Sequence, residues 1–248
     1  MVRFSKIFVR FLEGLPMALA ILFLFYACRK KEIPPDFSKA NFVLTLKSGS
    51  SPLIWDSLCY TNAAGNKYSV ESLQLYISEV TFKNNKGSCT SKGIFYLDPK
   101  VSSKNSFFID SITPGEYDEV SFIIGLSNAR NISNSLPNTI ENLNMAWPGP
   151  MGGGYHFMKF EGRYEDTVMV RKGYAIHLGK NNYQTQIKIS KSVTQKYWNH
   201  SYNLIFNVNE IFANPYTYNF NYNPNYTMSD TAANLIIINN LKDAFSLE

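Results

Sequence analysis

The strongest constraint on this chain is a rhythm. From residue 41 onward its apolar residues come in short runs, many of them alternating with polar ones, and the runs are stopped by Gly, Pro, Asn or Asp. Residues 41–47 set Phe42, Leu44 and Leu46 against Asn41, Thr45 and Lys47. Residues 68–83 alternate at Leu73, Leu75 and Ile77, and residues 117–126 at Val120, Phe122 and Ile124. A period of two places such residues on one face of a pleated strand, whereas a helix would scatter them around its circumference. Aromatics make up 15% of the chain, with 16 Tyr and 18 Phe, and their bulk suits strands better than helices. Further strands are expected at residues 55–60, 93–97, 107–112, 155–160, 164–170, 173–178, 183–189 and 202–208. Segments 164–170 and 173–178 read as a hairpin turning near Arg171 and Lys172. Residues 128–143 and 215–224 read as loops. Only residues 231–244, opened by Ser229 or Asp230 as a cap, read as a helix, and the run Ile236, Ile237, Ile238 is apolar enough that it should pack on the strands. The expected fold is all-β: an antiparallel β-sandwich of roughly ten strands with a short C-terminal helix, filling residues 38–248 as one domain.

The first residues read as a targeting segment. Arg3, Lys6 and Arg10 supply a basic start, and residues 15–26 an apolar run too short for a confident membrane span. The run ends Phe25-Tyr26-Ala27-Cys28, a small residue followed by Cys, which resembles the looser lipoboxes of Bacteroidetes-type lipoproteins. Residues 1–27 are therefore expected to be a signal peptide, Cys28 the lipidated first residue, and residues 28–37 a polar tether; the alternative is an ordinary cleaved signal. The expected location is periplasmic or at the cell surface, anchored by lipid to the outer membrane. The whole chain carries +5; the leader holds three basic residues and Glu13, so about +3 remains on the mature part. No Lys/Arg stripe accompanies it, which leaves no footprint for nucleic acid. Beyond Cys28 the cysteines are Cys59 and Cys89. An even pair in an exported chain predicts one disulfide, with two free thiols as the alternative.

One stretch stands apart from the rhythm. Residues 144–162 read Asn-Met-Ala-Trp-Pro-Gly-Pro-Met-Gly-Gly-Gly-Tyr-His-Phe-Met-Lys-Phe-Glu-Gly. Pro148 to Pro150 and Gly152 to Gly154 make a loop that can be neither helix nor ladder. Tyr155 to Phe160 then form a strand, closed by Gly162. A loop carrying a Trp, two Met and a His, held on a strand, is a place to look for function.

Several motifs fall in order along the chain. Leu75-Tyr76-Ile77-Ser78-Glu79-Val80 come first, then Gly115-Glu116-Tyr117, Phe122-Ile123-Ile124-Gly125-Leu126 and Asn131. Met145, Trp147, Gly154, Tyr155, Phe157, Lys159, Glu161 and Gly162 follow, and His177-Leu178-Gly179 close the series. On these the chain resembles the methanobactin-associated periplasmic copper-binding proteins, the MbnP-like family, over about residues 41–245. Leu126-Ser127 stand where the family usually has Val-Asp, and Pro148 follows Trp147 in place of the more usual loop. The resemblance implies an exported, all-β, metal-associated protein with copper as its cofactor. It implies as partner a dihaem protein of the cytochrome-c-peroxidase type, which in the family oxidises a Trp to kynurenine; here the matching residue is Trp147.

The residues themselves leave alternatives open. Strict alternation puts His156 on one face with Met158 and Phe160, so it is either a core histidine or a metal ligand at the sheet end. If its strand and that of His177 are neighbours, the two imidazoles can converge. Two His with Met145 or Met151 would be a soft, low-coordinate set that suits Cu(I) better than Zn(II). Met145 and Met151 can equally be packing, and Trp147 a ring plugging the sandwich end. Lys159 and Glu161 are expected to pair on the opposite face. No nucleophile, base and oxyanion set and no phosphate loop stands out, so catalysis is not expected. A metal-free binding or structural lipoprotein, engaging a peptide, glycan or outer-membrane partner, is the rival reading.

Overall fold

The computed structural model describes residues 36–248. The expected signal peptide, the lipidated Cys28 and almost all of the tether lie outside the described residues. Eight strands of five residues or more carry the fold among the described residues: β1 Ser38–Ser48, β2 Ser72–Asn84, β3 Ser106–Ile112, β4 Glu119–Ile124, β5 His156–Glu165, β6 Arg171–Gly179, β7 Thr185–Ile189 and β8 Asn199–Asn207. They form two sheets. One has the order Phe245–Leu247, β8, β1, with β3 on the other side of β1. The other runs β7, β4, β2, β5, with β6 on β5 and the short strands Gly87–Thr90 and Ile94–Leu97 on β2.

The alternation read from the sequence is what binds the two sheets. Phe42 of β1 and Tyr202 of β8 reach across to Phe82 of β2, with ring centres 6.1 and 5.7 Å away. Phe122 of β4 meets Phe245 edge-on at 5.4 Å. Those are the inward members of their strands, and all are buried. Offset and edge-to-face aromatic pairs add about 1 kcal/mol each to the burial itself. The all-β sandwich is therefore as expected, with one difference. β1 and β8 run parallel, Lys39–Lys47 against Asn199–Asn207. A parallel pair needs a long crossover, and here most of the domain separates the two strands in sequence.

Three expectations shift in detail. The hairpin of β5 and β6 turns at residues 166–170 rather than at Arg171 and Lys172, because the Asp166 carboxylate accepts from the backbone N–H of Val168 and Val170 and so fixes the turn. Gly162 does not close its strand: β5 runs on to Glu165. The glycine is there because a Cβ would run into the Ser69 carbonyl and the Tyr174 hydroxyl. The disulfide between Cys59 and Cys89 is not formed, and both are free thiols. Cys89 pairs opposite Phe82 near the far end of β2, while Cys59 adjoins Tyr60, which is linked through Tyr68 to the near end. Ten residues of strand separate those ends, roughly 30 Å, far beyond the reach of an S–S bond.

The C-terminal helix is present as Thr231–Asn240, capped by Asp230, whose Oδ1 accepts from Ala233 N at 2.7 Å. It is followed by the strand Phe245–Leu247, which completes the first sheet. No helix among the described residues is long and apolar enough to cross a membrane.

Candidate metal centre on the outer face of the second sheet

The candidate site depends on one extra residue. β5 pairs with β6 antiparallel, Lys159 opposite His177 and Met158 opposite Leu178, but His156 lies opposite Gly179. Phe157 is thus the additional residue of a β-bulge, and it reverses the facing of everything before it. From Met158 on, the inward side chains are Met158, Phe160 and Tyr164, and the outward ones Lys159, Glu161 and Arg163. Without the bulge His156 would point inward beside Met158. With it, His156 stands on the outer face beside His177. The ring of Phe157 is accommodated where Gly125 has no Cβ.

A short hairpin folds over this face and buries it. His156 N donates to the Met145 carbonyl at 2.6 Å, and Trp147 N to the Gly154 carbonyl at 2.9 Å. Between them, Gly149–Met151 make a single 3₁₀ turn, and Gly152, Gly153 and Gly154 all have positive φ, from 68° to 112°. Three successive left-handed residues are tolerated only by glycine. The preceding loop braces this flap: Ser133 Oγ accepts from Gly154 N at 2.7 Å, and Asn131 Oδ1 from Tyr155 N at 2.9 Å. Residues 128–143, expected as loop throughout, end in a short helix, Ile140–Asn144, capped by Thr139.

Under the flap three rings meet. His156 and His177 have ring centres 5.1 Å apart and nearly perpendicular, and Trp147 lies 4.7 Å from His156. Trp147 is 3% exposed, its Nε1–H donates to the Met151 carbonyl at 3.2 Å, and its six-membered ring lies where a Cβ on Gly179 would stand. The indole therefore plugs the flap and also forms a wall of the site.

The partners of the imidazoles define their tautomers. His156 Nδ1 is 3.2 Å from the Met145 carbonyl, and His177 Nε2 is 2.6 Å from Glu161 Oε1. A carbonyl and an ionised carboxylate can only accept, so Nδ1 of His156 and Nε2 of His177 carry the protons. In the neutral form of each ring the remaining lone pair lies on Nε2 of His156 and on Nδ1 of His177. The hydrogen bond from His177 holds the Glu161 carboxyl below its ordinary range despite partial burial. Burial first, then His177, push His156 down to about 4, with Lys159 adding in the same direction. His156 is thus a neutral imidazole at neutral pH.

A ring nitrogen sits about 2 Å from a bound ion, which puts each ring centre roughly 3 Å from it. Centres 5.1 Å apart are within reach of one common ion. Among the described residues no three His, Cys, Asp or Glu side chains gather as an ion cage; what the outer face brings together is a pair of imidazoles. Of the expected ligands, Met145 enters through its carbonyl, its side chain being packed in the hydrophobic core, and Met151 through the carbonyl that holds Trp147. Glu161, expected to pair with Lys159, goes instead to His177. Only the bulge makes that arrangement visible, and nothing in the residue types announces a bulge.

The family model named MbnP matches residues 38–229, well over half of the chain. The chain belongs to the MbnP family. Among solved structures it is similar to MbnP from Methylosinus trichosporium, at 11% identity and a TM-score of 0.49, covering 72% of this chain and 78% of that one. Among curated proteins nothing matches. The match begins at Ser38, the first residue of β1, so it contains every residue of the candidate MbnP site: Met145, Trp147, Met151, His156, Glu161, His177 and Gly179.

Proposed function

We propose that this MbnP-family protein is an exported, lipid-anchored copper-binding protein whose metal is held by His156 and His177 beneath the flap of residues 145–155. The observation that carries the reading is the pair of preset tautomers. Each imidazole donates one N–H to an acceptor and, in its neutral form, turns one lone pair toward an ion, which is how the partners of metal-ligating histidines orient them. Two imidazole nitrogens on one face form a soft, low-coordinate pair that favours Cu(I) over Zn(II). Bound copper would supply redox or transfer chemistry. The chain's own contribution is to bind, to orient the rings and, through the buried indole, to keep water out.

Trp147 is the residue proposed to be oxidised by a dihaem partner. It is buried, so the oxidant would act through the flap rather than by touching the ring. The proposed location is the periplasm or the cell surface, at an outer membrane reached through Cys28. The test is copper retained after dialysis by the domain and by a His156→Ala, His177→Ala variant. Stoichiometric copper in the first and none in the second is expected; equal retention overturns the reading. The mass of the peptide holding Trp147, after co-expression with a dihaem peroxidase, tests the oxidation separately.

A further inference from the structure

We propose that the end of the domain where the chain enters β1 is a membrane-contact face, an aromatic rim that rests in the headgroup region of a phospholipid bilayer. Four large rings crowd there in the open: Phe37 at 58% exposure, Phe108 at 59%, Tyr197 at 55% and Trp198 at 54%. They come from three separate segments and are brought together by the fold. Phe37 immediately precedes β1. Phe108 of β3 lies opposite Asn41 of β1, and the Lys39 ammonium stands 5.7 Å from its ring. The Trp198 carbonyl accepts from Lys39 N at 2.7 Å, with Tyr197 next to it.

Single exposed aromatics are ordinary, but a rim of four at one edge is not explained by packing. Trp198 adds an independent observation. It holds φ at +74°, a left-handed conformation that a bulky residue adopts only where the surroundings impose it, and the result is an indole displayed to solvent. Trp and Tyr, with an apolar body and a polar tip, are the side chains that favour the water–hydrocarbon boundary.

The rim's position and its charges point to lipid rather than to another protein. It is the end at which the chain arrives from its N-terminal side, ten residues after Cys28. An acyl group on Cys28 would hold this end within roughly 35 Å of the bilayer. That direction rests on the lipid-anchor part of the proposed function; the rim itself does not. Lys196 adjoins the rings, Arg29, Lys30 and Lys31 precede them in sequence, and Lys39 is shared with Asp110 at 3.3 Å, while Asp36 and Glu32 oppose. Residues 29–39 carry four basic side chains against Glu32 and Asp36, an excess along the sequence that suits an anionic headgroup layer.

The test uses the chain from Arg29 onward, without acyl group or leader. All strand pairings among the described residues lie between Ser38 and Leu247, so this piece keeps the fold. Its partition into vesicles of phosphatidylethanolamine and phosphatidylglycerol is measured by co-sedimentation, and its depth by quenching of Trp emission with lipids brominated on the acyl chain. Replacing Trp198→Gly, Tyr197→Ser and Phe108→Ser together should lower the partition roughly tenfold or more. Glycine suits the backbone at position 198, so the variant should melt as the parent does. A second variant, Val168→Ser with Met169→Ser, alters the β5–β6 turn, whose side chains are 73% and 72% exposed, and should partition as the parent does. No binding by the parent, equal binding by the rim variant, or an equal loss in the turn variant would each overturn the proposal. Acyl labelling of Cys28 in the full chain tests the anchor on its own, so the two can fail separately.

Discussion

The neutral state of His156 gives the site a pH signature that can be calculated. Unfolded, this histidine titrates near 6.5; folded, burial and the neighbouring His177 and Lys159 bring it down to about 4. Above pH 6.5 both states are neutral and the residue costs nothing. Between 6.5 and about 4 the unfolded chain binds a proton that the folded chain refuses, so stability falls as the pH falls. Integrated to pH 5, the loss is about 2 kcal/mol, and the full displacement corresponds to on the order of 3 kcal/mol. The perturbation is His156→Gln, which keeps a polar side chain that does not titrate in this range. Urea denaturation of both proteins, followed by far-UV circular dichroism from pH 7.5 to 4.5, reads the difference directly. Glu161, whose carboxyl is held below its ordinary range chiefly by the hydrogen bond from His177, weakens the fold at the acid end in both proteins, since the variant removes only the smaller contribution of His156. The gap between parent and variant should move in the variant's favour by about 2 kcal/mol between pH 7 and 5. Parallel curves across that window would mean that His156 protonates freely in the folded state, and the preset neutral ligand would be lost with it.

Two further outcomes follow from the same geometry. Gly179→Ala puts a methyl group into the Trp147 ring, so the indole must leave its seat; stability should drop by about 1–3 kcal/mol and Trp emission shift to the red, and an unmoved emission would show that the indole is not seated there. Glu161→Gln removes the obligate acceptor that sets the His177 tautomer; copper affinity should fall about 10–100-fold while stability stays within about 1 kcal/mol, and unchanged affinity in a copper titration would remove the carboxylate from the design.

Most of the scaffold was legible in the residues because its signal is local. Phe42, Leu44 and Leu46 alternate, and their strand buries that very face; Asp230 caps the helix that its position announces. The pairing of β1 with β8 was not legible, since two alternating strands carry no mark of which way they will lie beside each other. The hairpin turn was misplaced because Val168 and Val170 continue an apolar alternation that the Asp166 carboxylate overrides. An even cysteine count in an exported chain carries no information about distance, and β2 is long enough to keep Cys59 and Cys89 apart.

The site itself shows a sharper version of the same limit. Its residue types were visible, His156, His177 and Trp147 among them, yet the rule that makes strands readable assigned His156 to the wrong side. A period of two is a statement about regular pairing, and one added residue inverts it for all that lies beyond. The bulge at Phe157 has a second consequence. It lifts His156 out of the Met158 and Phe160 face, so the imidazoles, Glu161 and the Trp147 ring stand outside the core cluster, which takes from the flap only the side chains of Met145 and Tyr155. Core and site are then nearly independent in energy, as groups without shared partners are. A chain lacking both imidazoles should fold with its sandwich intact, which is what allows loss of copper in the double variant to be read as loss of ligands rather than loss of the fold. By the same argument, a member of the family could shed this outer face and keep the scaffold, so the copper measurement on the double variant probes the paired rings and not the fold.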